Sequence, residues 1–310
     1  MRYIYVGLVA AFIGSGVFFA CKNDTAASEK TQVEETTIAG NLNLQVDATI
    51  QPIVEDVLAV FTSVYPKAHI LQVNRSESDI VNAMMRDSST VVVLARELEP
   101  NEKAHFDKFN IKPRITHFAT DALALVTNKT SVDTVVNLED VYKVLRGEEA
   151  ATVKKLVFDN PNSSTLQMLM KNAGVTKIPA NAVYSLNNTQ EVLKFVTENA
   201  GTIGVIGVNW LLQAPQELQQ YVDSVRVLGV DNVKIDKKVK KYYKPSQSDI
   251  ATGSYPLTRK LYVLNYQGRP GLGMGFANYI SAPEGQRIIL KSGLLPVEIP
   301  PREIEVRKDL

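Results

Sequence analysis

Three segments of the sequence share one pattern, in which a short apolar run leads into a helical segment that begins with hydroxyl side chains. The runs and the hydroxyl residues that follow them are Leu42–Val46 with Thr49, Ile70–Val73 with Ser76 and Ser78, and Leu156–Phe158 with Ser163, Ser164 and Thr165. Capping alone explains any one of these starts, because Ser and Thr are common helix N-caps. In an open parallel sheet, however, the strands end at a shared edge, where the three helix starts can meet. Because helix N-termini bind anions through unpaired N–H groups, the pattern indicates an α/β fold with an oxyanion site.

The rest of the sequence also alternates between strand and helix patterns. Apolar runs predict strands over Thr90–Leu94, Asp121–Asn128, Gly201–Gly207 and Tyr255–Tyr266. Amphipathic segments predict helices over Pro52–Val64, Leu138–Arg146, Thr189–Glu198 and Gly273–Ser292. The glycines of the 201–207 strand predict close approaches of the backbone to its neighbours. With 310 residues, the chain is long enough for two lobes with ample core.

An apolar run near the N-terminus has the character of an export signal. It extends from Tyr3 to Ala20 and is followed by Cys21, the single cysteine of the chain. A small residue before a cysteine at the end of such a run resembles the cleavage site of bacterial lipoproteins, although Phe18 and Phe19 depart from the usual residues. We therefore predict a lipoprotein signal peptide over residues 1–20 and lipidation at Cys21. An uncleaved N-terminal membrane anchor is the alternative.

The segment over residues 21–40 is polar and lacks both helical and strand periodicity. Such a composition predicts a flexible tether. The residues directly after Cys21 form no strong acidic sorting signal. The protein is therefore expected in the periplasm, lipid-anchored to a bacterial membrane, with the outer membrane favoured.

Composition and residue spacing exclude several classes of function. The 34 basic and 33 acidic side chains nearly cancel, so nucleic acid is not an expected partner. A single cysteine allows no internal disulfide and no multi-cysteine zinc site, and His69, His105 and His117 do not have the spacing of metal ligands. No phosphate-loop lysine follows the glycines at 201–207. We therefore expect no metal, no cofactor and no catalytic residue, and a protein that is not an enzyme.

Three further segments carry a resemblance to a known family. Asn199–Gly207, Tyr255–Tyr262 and Ser281–Gln286 are similar to segments of the phosphate-type (PstS-like) periplasmic substrate-binding proteins of ABC transporters. The family's versions read Gly-Ala-Ile-Gly-Tyr-Val-Gly, Tyr-Pro-Leu-Ala-Arg-Pro-Leu-Tyr and Ser-Pro-Glu-Gly-Gln. The similarity extends from about Asn41 to Val297. These three segments are expected to lie away from the ligand.

The resemblance implies the type II periplasmic-binding-protein fold. This is an α/β fold of two lobes, each a mixed sheet flanked by helices, with two crossing hinge strands between the lobes and a ligand cleft between them. Lobe 1 would comprise residues 41–124 and 258–300, and lobe 2 would comprise residues 125–257. Residues 301–310 would form a C-terminal tail.

The resemblance also implies which residues bind the ligand. The residues that fall on the family's anion-binding loops are Thr49 and Ile50, Ser76 and Ser78, and Ser163, Ser164 and Thr165. Two positions depart from the family pattern, because Asp159 replaces an arginine that grips phosphate and Ala95 replaces a carboxylate that accepts the phosphate proton. Asp159 places negative charge where a phosphate dianion needs a cation. Arg96, which aligns with a common family arginine, is expected to form a surface or lobe-packing ion pair.

Two functions follow from these observations. The first is a lipid-anchored binding protein for phosphate or a related oxyanion, which hands its ligand to an ABC permease. The second is motivated by Asp159 and Ala95. It is a lipoprotein of the same fold that has lost tight phosphate binding and serves as an interaction or sensing component of a periplasmic envelope machine, for example of TonB type.

Overall fold

A computed structural model describes residues 35–86, 90–235 and 240–301 of the chain. The predicted signal peptide, Cys21 and most of the predicted tether lie outside these residues, as does the predicted tail beyond Pro301. In the described part of the chain, no helix is both long enough and apolar enough to cross a membrane.

Strands and helices alternate along most of the described chain. The strands are β1 (Gly40–Asp47), β2 (Ala68–Arg75), β3 (Val91–Leu94), β4 (Arg114–Asn128), β5 (Val135–Val136), β6 (Leu156–Phe158), β7 (Val183–Ser185), β8 (Ile203–Gly207), β9 (Val225–Val227), β10 (Gly229–Asp231), β11 (Tyr242–Tyr243), β12 (Thr258–Asn265) and β13 (Leu295–Pro296). The helices are α1 (Gln51–Val64), α2 (Glu77–Met85), α3 (Pro100–Asp107), α4 (Leu138–Arg146), α5 (Ser164–Ala173), α6 (Thr189–Glu198), α7 (Asn209–Leu212), α8 (Gln219–Val222), α9 (Gln247–Ala251), α10 (Leu272–Ser281) and α11 (Pro283–Lys291). Short 3-10 turns lie at Ala48–Ile50 and Gln216–Leu218.

Two mixed sheets share the long strand β4. The first has the order β2-β1-β3-β12-β4, in which β1 is parallel to β2 and β3 while β12 is antiparallel to β3 and β4. The second has the order β4-β8-β6-β7, in which β8 is antiparallel to β4 and parallel to β6. Strand β4 changes partner between Ala122, which pairs with Thr258, and Leu123, which pairs with Gly207.

This change of partner on β4 marks the junction of two lobes. The chain crosses the junction a second time just before β12, where the N–H of Leu123 donates to the carbonyl oxygen of Leu257 at 2.8 Å. The predicted α/β, two-lobed fold with mixed sheets and two crossing strands is confirmed. The residue boundaries of the lobes stay a prediction.

Capping side chains determine where the helices near the junction begin. The hydroxyl oxygens of Ser76 and Ser163 accept hydrogen bonds from the backbone N–H three residues later, at 3.3 and 3.4 Å, and so cap α2 and α5. Asp47 accepts from the N–H of Thr49 at 3.0 Å and fixes the turn between β1 and α1 in the same way. Helix α1 packs against α10 through an aromatic contact. Phe61 of α1 lies edge-on to Phe276 of α10, with ring centroids 5.9 Å apart.

The predicted closing helix Gly273–Ser292 is two helices, α10 and α11. Proline has no N–H to continue a helical hydrogen-bond ladder, and it disfavours helical backbone at the residue before it. Ala282 accordingly has extended backbone, with φ −75° and ψ 163°, and Pro283 begins α11. The prediction of one continuous helix is therefore wrong.

Candidate anion-binding site

Two of the predicted hydroxyl groups meet between the lobes. Thr49 lies in the turn after β1 and Ser164 lies at the start of α5, and their side-chain oxygens are 2.9 Å apart. Both residues are buried, and they are 115 positions apart in the sequence. The helix starts that follow β1 and β6 therefore contact each other, which is the arrangement that the repeated sequence pattern indicates.

The guanidinium of Arg259 on β12 is the third group at this junction. Its Nη1 donates to the Ser164 hydroxyl at 2.8 Å, and its Nε and Nη2 donate to one carboxylate oxygen of Asp121 at 2.9 and 2.7 Å. The exposed side-chain fractions are 4% for Arg259 and 0% for Asp121. The Tyr255–Tyr262 segment, which is expected to lie away from the ligand, thus reaches the junction, because β12 runs along β4 where the lobes meet.

A signal for Arg259 was present in the sequence of its own strand. Successive side chains of a strand point to opposite faces, so Arg259 shares a face with Leu261 and Val263, and all three are buried. A buried arginine requires a partner of opposite charge. The alternation of side chains along the strand thus predicts a buried ion pair at Arg259. The resemblance of the Tyr255–Tyr262 segment to the family motif did not indicate this pair.

The junction is tightly packed against β8 and α7. The side-chain N–H of Asn209 donates to the backbone oxygen of Thr49 at 3.1 Å. A Cβ atom at Gly207 would lie 2.7 Å from that same oxygen and 2.9 Å from Nη2 of Arg259. The close backbone approach predicted for residues 201–207 is therefore found where β8 ends against Thr49 and Arg259.

The two other hydroxyl groups predicted near α5 contact a carboxylate of the protein. Thr165 donates to Oδ1 of Asp159 at 2.8 Å, and the hydroxyl oxygens of Thr165 and Ser163 are 2.8 Å apart. A third hydroxyl, from Thr189, donates to Oδ2 of Asp159 at 3.4 Å. Burial raises the pKa of Asp159, and the hydrogen bonds from Thr165 and Ser163 oppose that shift. Asp159 thus engages hydroxyl groups that the family resemblance assigns to an external anion.

The remaining predicted residues have contacts of other kinds. Ile50 is a fully buried core side chain. Ser76, besides capping α2, donates to a carboxylate oxygen of Asp79 at 2.6 Å. Ser78 donates to the backbone oxygen of Asn162 at 3.5 Å, a contact that crosses between the lobes. Among the described contacts, none joins these three residues to Thr49, Ser164 or Arg259.

Arg96 forms an ion pair on the lobe 1 side of the cleft. Its Nε lies 2.8 Å from a carboxylate oxygen of Glu77, and its Nη1 lies 2.8 Å from one of Glu102. Burial raises the pKa of Glu77, and the positive charge of Arg96 opposes this shift. The neighbouring Ala95 is buried and offers no side-chain acceptor for a phosphate proton.

Acidic side chains are concentrated inside the protein around the junction. Asp47, Asp121, Asp159 and Glu77 are each at most 4% exposed. Burial raises the pKa of Asp121, which Arg259 opposes, and the charge of Asp47 raises the pKa of the other three carboxyl groups. The charge of Arg259 acts in the opposite direction on the pKa of two of them, Asp121 and Glu77. Arg259 is thus a buried cation among several buried carboxyl groups.

A cavity of about 700 Å³ lies between the lobes beside Arg259 and Ser164. Its apolar wall consists of Met168, Met170, Val175 and Tyr262, and its charged side chains are Arg96, Lys171, Lys260, Arg259, Glu77, Glu97 and Glu99. Lys171 of lobe 2 forms an ion pair with Glu99 of lobe 1 at 2.8 Å. Cavities of this size that combine apolar surface with convergent polar groups are typical of small-molecule sites.

The histidines do not contribute to this site. His105 stacks against Phe106 and Phe109, and the Nε2 of His117 lies 3.0 Å from the carbonyl oxygen of Ala119. Over residues 35–86, 90–235 and 240–301, no group of three or more His, Cys, Asp or Glu side chains is placed to hold a metal ion.

A family model described as the PBP superfamily domain matches residues 31–284 of the chain. Among curated proteins, none matches the chain significantly. Solved structures, in contrast, match over most of its length.

Three of these structures show how similar the matching structures are to this chain. One from Clostridium perfringens, whose name describes a phosphate ABC transporter substrate-binding protein with bound phosphate, is 18% identical, covers 84% of this chain and 100% of its own, and has a TM-score of 0.67. An ABC-type phosphate transport receptor from Vibrio cholerae is 14% identical over 83% of this chain and 100% of its own, with a TM-score of 0.61. The CcmR regulatory domain of Synechocystis, in complex with 2-PG, is 14% identical over 77% of this chain and 95% of its own, with a TM-score of 0.51. At these identities the likeness shows the fold alone.

Proposed function

Because the chain belongs to the family described as the PBP superfamily domain, we propose that it is an extracytoplasmic solute-binding protein that binds an oxyanion between its lobes. One observation carries this proposal: the hydroxyl groups of Thr49 and Ser164 and the guanidinium of Arg259 converge from separate parts of the chain, at 2.9 and 2.8 Å. Two hydroxyls and a buried cation at a lobe junction can bind an anion that enters when the lobes open and is enclosed when they close.

The ligand class is phosphate or a related oxyanion, and the receiving partner is an ABC permease. This assignment draws on the names of the structurally similar proteins from Clostridium perfringens and Vibrio cholerae, both of which concern phosphate transport. The N-terminal apolar run and Cys21 support a lipid-anchored location in the periplasm, with the outer membrane favoured. The role is binding and delivery, and no catalytic residue is assigned.

The test is a calorimetric titration of the full-length protein in detergent with phosphate, sulfate, a phosphomonoester and a carboxylate. Ser164→Ala removes a partner of both Thr49 and Arg259, and a hydrogen bond to a charged group contributes about 1.5–3 kcal/mol. We therefore expect at least about a tenfold loss of affinity for the preferred anion in this variant. Ser248→Ala makes the same change at an exposed position of α9, is the matched control and should bind as the wild type does. If none of the anions binds at millimolar concentration, the proposal is wrong.

A second candidate function has an observation of its own. Thr165 and Thr189 already donate to the buried Asp159, so part of the predicted anion site is occupied by the protein's own carboxylate. Such a site fits a lipoprotein that has lost tight phosphate binding and acts as an interaction or sensing component of a periplasmic envelope machine, for example of TonB type. Affinity purification of the tagged protein from crosslinked membranes distinguishes the two functions. Recovery of an envelope complex without a permease would favour this candidate, and recovery of an ABC permease alone would exclude it.

A further inference from the structure

The cavity beside Arg259 is far larger than an inorganic oxyanion. Its volume is about 700 Å³, whereas a tetrahedral anion occupies about the space of a few water molecules, each of which takes up about 30 Å³ in the liquid. A phosphate ion at Arg259 would leave most of this volume without a ligand atom. The cavity therefore has room for a body attached to the anionic group.

The wall of the cavity has the chemistry to bind such a body. Met168 and Met170 of α5 and Val175 contribute apolar surface from lobe 2, and the ring of Tyr262 contributes it from lobe 1. Methionine side chains are unbranched and polarisable, so they adapt to ligands of different shape. A ligand held between these side chains would contact both lobes at once.

Arg259 provides the polar end of the same cavity. A guanidinium has five N–H donors. In Arg259, two of these N–H groups donate to Asp121 and one donates to Ser164. The remaining two N–H groups have no hydrogen-bond acceptor among the described residues, although the side chain is only 4% exposed. Arg259 and Ser164 both line the cavity, so these donors are available to an acceptor placed there.

On the basis of the proposed function, we propose that the ligand of this site is an organic carboxylate with an aliphatic or aromatic body. Its carboxylate group binds Arg259 and Ser164, and its body lies against Met168, Met170 and Tyr262. A carboxylate carries one negative charge and two oxygens that suit the planar guanidinium. A phosphate ion would occupy only the end of the cavity at Arg259 and Ser164 and would leave the apolar wall without a ligand contact.

The test is a titration of the full-length protein in detergent with acetate, butanoate, hexanoate and octanoate, below their micelle-forming concentrations. Each buried methylene contributes about 0.8 kcal/mol, so affinity should rise about fourfold per methylene until the cavity is filled. Inorganic phosphate should bind more weakly than octanoate and should fail to displace it. Octylammonium, which has a similar apolar chain and the opposite charge, should bind at least tenfold more weakly than octanoate.

Two variants test whether octanoate binds in the cavity beside Arg259. Met168→Asp places a charge in the apolar wall and should reduce octanoate affinity at least tenfold. Val132→Asp introduces the same charge at a residue that is 92% exposed and should bind octanoate as the wild type does. Equal affinity across the chain-length series, or unchanged octanoate binding in folded Met168→Asp, would overturn this ligand class. Tight binding of phosphate without binding of any carboxylate would also overturn this ligand class, but it would leave the proposed function intact. If none of the anions binds, both the ligand class and the proposed function are wrong.

Discussion

The buried ion pair between Arg259 and Asp121 allows a direct test of how the paired strands β4 and β12 are held together at the junction. We consider Arg259→Met, Asp121→Asn and the variant that carries both changes. The pair has two hydrogen bonds, of 2.7 and 2.9 Å, and neither side chain is more than 4% exposed. Removal of one member leaves the other charge buried and uncompensated.

The expected magnitude follows from this burial. Breaking a buried pair by removing one partner costs about 3–5 kcal/mol, whereas replacing both members with neutral side chains of similar volume is often close to neutral. Each single variant should therefore lower the free energy of unfolding by about 3–5 kcal/mol. The variant with both changes removes both charges and should lose less stability than either single variant, so the interaction energy should be at least about 3 kcal/mol.

Urea unfolding followed by the fluorescence of Trp210 is a suitable assay. Trp210 is the only tryptophan of the chain, is 3% exposed and is adjacent in sequence to Asn209, which contacts Thr49. Losses below about 1 kcal/mol in the single variants, or effects that add within about 0.5 kcal/mol, would refute the view that these charges stabilise each other.

Three further predictions concern residues around the same junction. Gly207→Ala should lower the free energy of unfolding by about 1–3 kcal/mol in the same urea assay, because the new Cβ would lie within 3 Å of the Thr49 carbonyl oxygen and of Arg259. An unchanged urea midpoint would show that the junction has room for the added methyl group. For Asp159, the raised pKa means that the folded state holds the proton more tightly than the unfolded state, whose value is near 3.8. The stabilisation by this proton is complete below that pH and is lost as the pH rises through the folded-state pKa. Wild-type stability relative to Asp159→Asn should therefore fall as the pH rises above 3.8, and a difference that does not change with pH would contradict the shift. Lys171→Gln should change the free energy of unfolding by less than about 1 kcal/mol, because the Lys171 side chain is 73% exposed, and a larger loss would assign the interlobe pair with Glu99 a structural role.

The sequence was sufficient for the fold because most of its local signals agree with the global structure. Helices α4 and α6 begin and end where their amphipathic pattern and the capping glycine, Gly147, predict. The closing helix is the exception. Its hydrophobic periodicity continues through Pro283, but the missing N–H of that residue outweighs the periodicity.

The site was less predictable than the fold, because its contacts join residues that are distant in the sequence. The helix-start pattern indicated Thr49 and Ser164 as neighbours, but nothing local placed Asp121 beside Arg259, since that pair forms only when β12 lies along β4. The reversal of charge at Asp159 was visible in the sequence. Its consequence, that Thr165 turns to this carboxylate, depends on the packing of the α5 start.

The most direct test of a ligand site at Arg259 and Ser164 is anomalous diffraction from crystals of the protein grown with ω-bromooctanoate. The expected result is a bromine peak against Met168 and Val175, with carboxylate density in contact with Arg259 and Ser164 and loss of the peak in crystals of Met168→Asp. A bromine peak confined to the outer surface, with no density in the cavity, would contradict the assignment of this cleft as the binding site for an organic anion.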